Sequence, residues 1–175
     1  MPKWKLSAFM MLLPLAASAQ GGPESVSKHF RAFVAHHTKI LIDAAEAMPA
    51  DKYSYKPTPA QWSFGQIVVH IAGDNNITCS AIAGVKPAAE AKVSATAPKE
   101  AQVAALRKSL AFCESAVAKV TDAMLGDSVT YYDQRALRID PLVGLVMDWS
   151  DHYGQQAGYL RLNGILPPTA KQGGQ

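Results

Sequence analysis

The feature that most limits what this chain can fold into is one long seam between Lys99 and Leu125. Val103, Leu106, Leu110, Cys113, Val117, Val120 and Met124 recur there at alternating spacings of three and four. Such a stripe runs down one side of an α-helix and is stable only when buried against other helices. Gly126 is the expected stop.

Three further segments carry the same periodicity. The first runs from about Pro23 to Met48, with Val26, Phe30, Phe33, His37, Ile40 or Leu41, and Ala44 on its stripe, and Pro49 closes it. A loop rich in Pro and Tyr follows, in which Pro57 and Pro59 forbid a helix interior. The second run starts near Trp62-Ser63 and reaches about Ala83, ended by Gly84, with Ile67, His70, Ile71, Asp74, Ile77 and Ala81 inward. The last is expected to start with Asp140 as N-cap and Pro141 at the first helical position. It runs to about Leu162, where Asn163-Gly164 and then Pro167-Pro168 stop it. No strand-like alternation of useful length appears, and no internal repeat. The expectation is an all-α domain, a four-helix bundle. Val85 to Pro98, rich in Ala, Pro, Lys and Ser, is longer than the two to eight residues that usually join antiparallel neighbours. It predicts a long crossover between parallel second and third helices.

The first 19 residues read as a cleaved leader. Lys3 and Lys5 precede an apolar Leu6 to Leu15, and Ala17-Ser18-Ala19 supplies a small-x-small cleavage pattern. The apolar stretch falls well short of the roughly 20 residues a membrane span needs. The expected mature chain is Gln20 to Gln175, periplasmic or secreted, with no integral membrane segment. Its bundle should cover 20–168, followed by a flexible tail at 169–175. The leader takes two of the 17 Lys and Arg, leaving 15 against 14 Asp and Glu. With no Lys or Arg cluster to follow phosphates, nucleic-acid binding is not expected.

Three of the five histidines, His37, His70 and His152, fall on inward stripes, whereas His29 and His36 read as surface residues. His70 lies about 12 Å into the second run, and His152 about 16 Å before the end of the fourth. If those helices are antiparallel, the two imidazoles lie within about one turn in height. Asp148 precedes His152 by four residues and shares its face. Two imidazoles and a carboxylate converging between helices form a candidate divalent-metal site with positions left open for water or substrate. Equally, an inward histidine is often a satisfied core residue, and an i,i+4 Asp–His pair is often a plain hydrogen bond. Asp74, one turn beyond His70, is a candidate acceptor for the imidazole N–H that faces away from the ion. Gln155 and Tyr159 share the face of His152, while Trp62 and Trp149 read as core anchors. If the second and third helices are parallel, Cys79 and Cys113 differ by about 5 Å in height, so a disulfide is feasible where the faces meet. The alternative is two small buried hydrophobes.

Trp62-Ser63-Phe64-Gly65-Gln66-Ile67-Val68-Val69-His70-Ile71-Ala72 resembles the second-helix motif of the DinB/YfiT-like family of metalloenzymes. Met48-Pro49-Ala50-Asp51-Lys52 with Lys56-Pro57 is similar to that family's exit from its first helix. Asp151-His152-Tyr153-Gly154-Gln155, then Tyr159-Leu160-Arg161-Leu162-Asn163-Gly164, resembles its fourth-helix signature. The resemblance implies an up-down-down-up bundle. It also implies a metal held by one histidine of the second helix and two, at i and i+4, of the fourth. His70 and His152 match the first and last of these, but Asp148 stands at the middle position. Asp148 then either ligates, giving a two-His, one-carboxylate set, or only orients His152 in an empty site. His37 is a candidate replacement ligand. Among relatives, thiol-dependent transferases and isomerases suggest a zinc, nickel, manganese or iron ion acting on an unknown small molecule, by thiol transfer or by hydrolysis. The alternative reading is a non-catalytic bundle with a degenerate site, serving as a ligand-binding or scaffold protein. Family members are often dimers, so a homodimer is compatible with the resemblance.

Overall fold

A computed structural model describes Met1, residues 25–89 and residues 93–172. The leader at 1–19, the start of the first run at Pro23 and the last three residues of the expected tail lie outside the described residues, Met1 apart. The helices are α1 (Val26–Ala47), α2 (Phe64–Ala83), α3 (Lys99–Ala118), α4 (Ile139–Leu162) and the short α5 (Pro168–Gln172). A two-stranded hairpin, β1 (Ser128–Tyr131) and β2 (Gln134–Leu137), precedes α4. Among the described residues no helix is long and apolar enough to cross a membrane.

Each bundle helix packs on two others, α1 and α2 both lying against α3 and α4. Side-chain pairs give the directions. Asn75 donates to Ser109 at 3.0 Å and Cys79 is bonded to Cys113, with Cα atoms 5.1 Å apart. Both pairs are 34 residues apart, so α2 and α3 run parallel. Lys99 donates to the carbonyls of Glu46 and Met48 at one end, and Arg31 to that of Val120 at the other, so α1 and α3 are antiparallel. Trp149 Nε1 reaches Asn75 Oδ1 at 2.8 Å, while Arg138 donates to the Ile82 carbonyl, which sets α4 antiparallel to α2. The order is up-down-down-up, with the crossover between α2 and α3 as expected. Trp149, Phe64, Met48, Leu106, Leu110, Leu142 and Leu145 are fully buried where the four helices meet.

Local chemistry sets the bounds of α2. Ser63 and Gln66 form a reciprocal capping box, the Ser63 hydroxyl accepting from the Gln66 N–H at 3.2 Å and the Gln66 side chain from the Ser63 N–H at 2.7 Å. At the other end Gly84 takes φ +72°, a left-handed C-terminal turn that glycine adopts without steric cost.

Four expectations need correction. The third helix ends at Ala118 and not near Leu125, and Asp122–Met124 form a separate 3₁₀ turn. The turn carries Asp122 to the start of α1, where its carboxylate accepts from the N–H groups of Val26 and Ser27 and from the Ser25 hydroxyl. The last helix starts at Ile139, not at an Asp140 N-cap. The Asp140 carboxylate instead accepts from the Leu137 N–H at 2.7 Å, because β2 feeds straight into the helix. That hairpin was not legible as alternation. Its four-residue strands join through Tyr132 and Asp133, both at positive φ, a two-residue primed turn usually marked by glycine. The tail expected from 169 is partly helical. Pro168–Gln172 form α5 against α1, tied by Tyr153 and Thr169 (Oη to Oγ1, 2.9 Å).

Candidate metal centre

The site grows out of the antiparallel packing of α2 on α4. His70, Asp74 and Thr78 stand four residues apart on α2, and Gly144, Asp148 and His152 do so on α4. Two such rows run past one another along a single cleft. His70 Nε2 lies 3.4 Å from Asp148 Oδ1, and His152 Nε2 lies 3.2 Å from the same oxygen. The two imidazole rings meet edge to face, centroids 4.7 Å apart. The ligand atoms of all three side chains lie within 4.8 Å of one another.

These separations fit a metal. Two ligands each 2.0–2.1 Å from a tetrahedral zinc ion stand about 3.3 Å apart, close to both nitrogen–oxygen separations here. His70 and Asp148 keep partial exposure while His152 is nearly buried, so the group has a protein side and an open side. The His152 pKa is raised: burial pulls it down, but the hydrogen bond and charge of Asp148 outweigh that. His152 Nδ1 has no hydrogen-bond partner, the Asp151 carboxylate being 3.9 Å away.

Two aromatic groups bound the cleft. Trp62, expected in the core, is 45% exposed, and its ring covers both imidazoles, 4.9 Å from His70 and 5.9 Å from His152. It sits before the N-cap of α2, and its carbonyl accepts from the buried Tyr159 hydroxyl at 2.8 Å. Trp149 is fully buried, as expected of a core anchor. At the other end the hairpin delivers Tyr131 against α4, where a Cβ on Gly144 would stand 2.6 Å from its hydroxyl oxygen. Only glycine leaves room for that contact. Burial, with the charges of Asp74 and Asp148, raises the Tyr131 pKa, so the phenol keeps its proton at neutral pH.

The remaining candidates lie elsewhere. Asp74 is engaged by Thr78 Oγ1 at 3.1 Å and by the Tyr132 hydroxyl, not by His70. The hairpin that supplies Tyr132 was invisible in the sequence, so this competing donor was too. His37 is outside the three-residue group. Its Nδ1 lies 3.2 Å from the Phe33 carbonyl and its ring stacks on Phe33, and burial lowers its pKa. Gln155 donates to Asp151 on the exposed side. Trp62 was read as a core anchor because it lies outside the periodic run, and Tyr131 and Thr78 went unread because Tyr131 reaches the cleft only through the hairpin and Thr78 stands in no motif.

Comparison with known proteins gives one family and one fold. The family model described as the DinB superfamily matches residues 33–148. A DinB-like protein from Bacillus cereus superposes with TM-score 0.67 at 16% identity, over 82% of this chain and 96% of that one. A DinB-like protein from Bacillus subtilis gives 0.60 at 16% identity over 78% and 92%. A conserved protein from Enterococcus faecalis gives 0.63 at 17% over 80% and 98%. At these identities the structural likeness is one of fold. No curated protein sequence matches the chain.

Proposed function

The chain belongs to the DinB superfamily, and from that premise we propose that it is an exported protein binding one divalent metal through His70, Asp148 and His152. The carrying observation is the convergence of three ligand atoms within 4.8 Å, with both histidine nitrogens 3.2–3.4 Å from one Asp148 oxygen. Zinc, nickel, manganese and iron all accept two imidazoles and a carboxylate. When bound, the ion supplies Lewis acidity, polarising a substrate oxygen or acidifying a water or thiol. His70 and His152 act as neutral ligands, and the Asp148 carboxylate lowers the net charge of the centre. Trp62 shields the imidazoles on one side. Tyr131, kept protonated, offers a hydroxyl to a substrate acceptor in the cleft. The reaction class that follows is hydrolysis or thiol transfer. Export rests on the leader-like first 19 residues, and the Cys79–Cys113 bridge supports it, since such bonds persist mainly in oxidising compartments.

One observation favours a non-catalytic reading. A single Asp148 oxygen already lies within hydrogen-bonding reach of both imidazoles, so the cluster is satisfied without an ion when both rings carry a proton on Nε2. Elemental analysis of the mature protein, purified without chelator beside His152→Ala, decides between them. The metal reading expects about one equivalent in the wild type and almost none in the variant, with Asp148→His binding more tightly. A wild type that stays empty after incubation with all four metals rejects it.

A further inference from the structure

We propose that the outer groove between α2 and α3 is a tail site for a medium-chain aliphatic carboxylate whose head reaches the metal centre at His70. The head of that ligand rests on the metal reading above, and its tail rests on the groove alone. The groove has a volume of about 1030 Å³, and His70 and Trp62 belong to its wall, so it is continuous with the candidate centre. Its volume comes from missing side chains: Ala72 and Gly73 on α2 face Ala101, Ala104 and Ala105 on α3. A Cβ on Gly73 would meet nothing within 4 Å.

The described ends of the crossover, on either side of residues 90–92, are held so that they flank this space. Near one end Asn76 clamps Ala88 in both directions, donating to its carbonyl at 2.7 Å and accepting from its N–H at 3.2 Å. Near the other, the Gln102 amide donates to the carbonyls of Ala95 and Ala97 at 3.0 and 2.8 Å. The crossover residues that join the wall, among them Ala88, Ala89 and Ala95, are too short to reach across.

The shape selects the occupant. Because α2 and α3 are parallel, His70 stands level with Ala104 and Ala105, and Ile77 and Phe112 line the groove further along. Seven residues of helix separate His70 from Ile77, roughly 10 Å at 1.5 Å per residue. An extended chain advancing about 1.2 Å per bond covers that length with about eight carbons. An oxygen-donor head suits a centre of two imidazoles and a carboxylate, while the alanines, Gly73, Ile77 and Phe112 offer an unbranched tail apolar contact between the polar Asp74, Asn76, Lys108 and Ser109 of the same wall.

The test is calorimetric titration of the zinc-loaded mature protein with octanoate and with butyrate. Each methylene fully buried tightens binding roughly fourfold, so partial burial of four predicts about a 30-fold preference for octanoate. Ile77→Ser and Phe112→Ser both strip apolar contact from the part of the groove about 10 Å along the helix from His70, beyond the reach of butyrate. Each should reduce the preference to within about threefold, with metal content and butyrate affinity unchanged. Two variants guard against one failing to fold. No preference in a metal-loaded wild type, or a preference that survives both substitutions, overturns the proposal. In His152→Ala, butyrate affinity should fall while the chain-length preference persists. If the wild type itself carries no metal, a preference removed by both substitutions sustains the tail site and rejects the metal-bound head alone.

Discussion

Gly65 and Gly154 both sit inside helices, yet their surroundings require opposite outcomes on substitution. A Cβ at Gly65 would stand 2.9 Å from Gln102 Oε1 and 3.2 Å from the carbonyls of Ala95 and Tyr53. Gln102 has no retreat, because it is fully buried and its amide is committed to the crossover. Gly65→Ala should therefore lower stability by about 1–3 kcal/mol through overpacking. Gly154 is exposed in α4 with nothing near its would-be Cβ. Gly154→Ala should raise stability by up to about 1 kcal/mol, through helix propensity and a less flexible unfolded chain. Urea unfolding of the two variants beside the wild type measures both, and equal effects would contradict the close approach at Gly65. The same logic separates the site residues. His70, Asp148 and His152 were legible because ligand chemistry and helical spacing coincide at them. Trp62 was misread because its position before the α2 N-cap carries no periodicity, and only the approach of α4 places it over the imidazoles.

At the scale of elements, α1 depends on a residue 95 to 97 positions away. It has no side-chain cap of its own, and the Asp122 carboxylate fills that role from the turn after α3. The N–H groups of Ser27 and Val26 and the Ser25 hydroxyl hold the Asp122 pKa down to about 2. The folded pKa lies below the ordinary carboxylate value, so the contribution is present above pH of about 4 and fades as pH falls towards 2. The stability difference between wild type and Asp122→Ala should shrink over that window in acid titrations followed by circular dichroism. A difference that is constant through the window would mean the cap does not act through charge. The seam to Met124 predicted more helix than exists because periodicity records what is buried, not where the chain turns. Val120 stays buried beyond the end of α3, and its carbonyl is taken by Arg31 of α1.

For the whole molecule, the Cys79–Cys113 bond joins the two parallel helices on either side of the crossover, closing a loop of 34 residues. Loop-closure entropy gives such a bridge roughly 3–4 kcal/mol. For a chain of this size that corresponds to a fall of about 8–14 °C in Tm on reduction. Scanning calorimetry with and without reductant measures it, Cys79→Ala/Cys113→Ala serving as the reductant-insensitive control. A Tm that does not move would place the restraint elsewhere, in the Asn75–Ser109 and Asn75–Trp149 hydrogen bonds that tie α2 to both neighbours.

The sequence alone determined four amphipathic helices, the parallel pair implied by a long crossover, the Gly84 stop of α2 and the family to which these motifs belong. These follow from local rules: apolar spacing and proline and glycine stops act within a few residues. Tertiary structure decided the rest. It joined Cys79 to Cys113, where sequence left a bridge and two buried thiols equally open, because only the facing of α2 on α3 sets their separation. It turned Asp74 from His70 to Tyr132, because a hairpin with no glycine in its turn brings the Tyr132 hydroxyl within reach. It brought Asp148 within reach of two imidazoles from different helices, and opened a groove beside them where small residues on two parallel helices face each other.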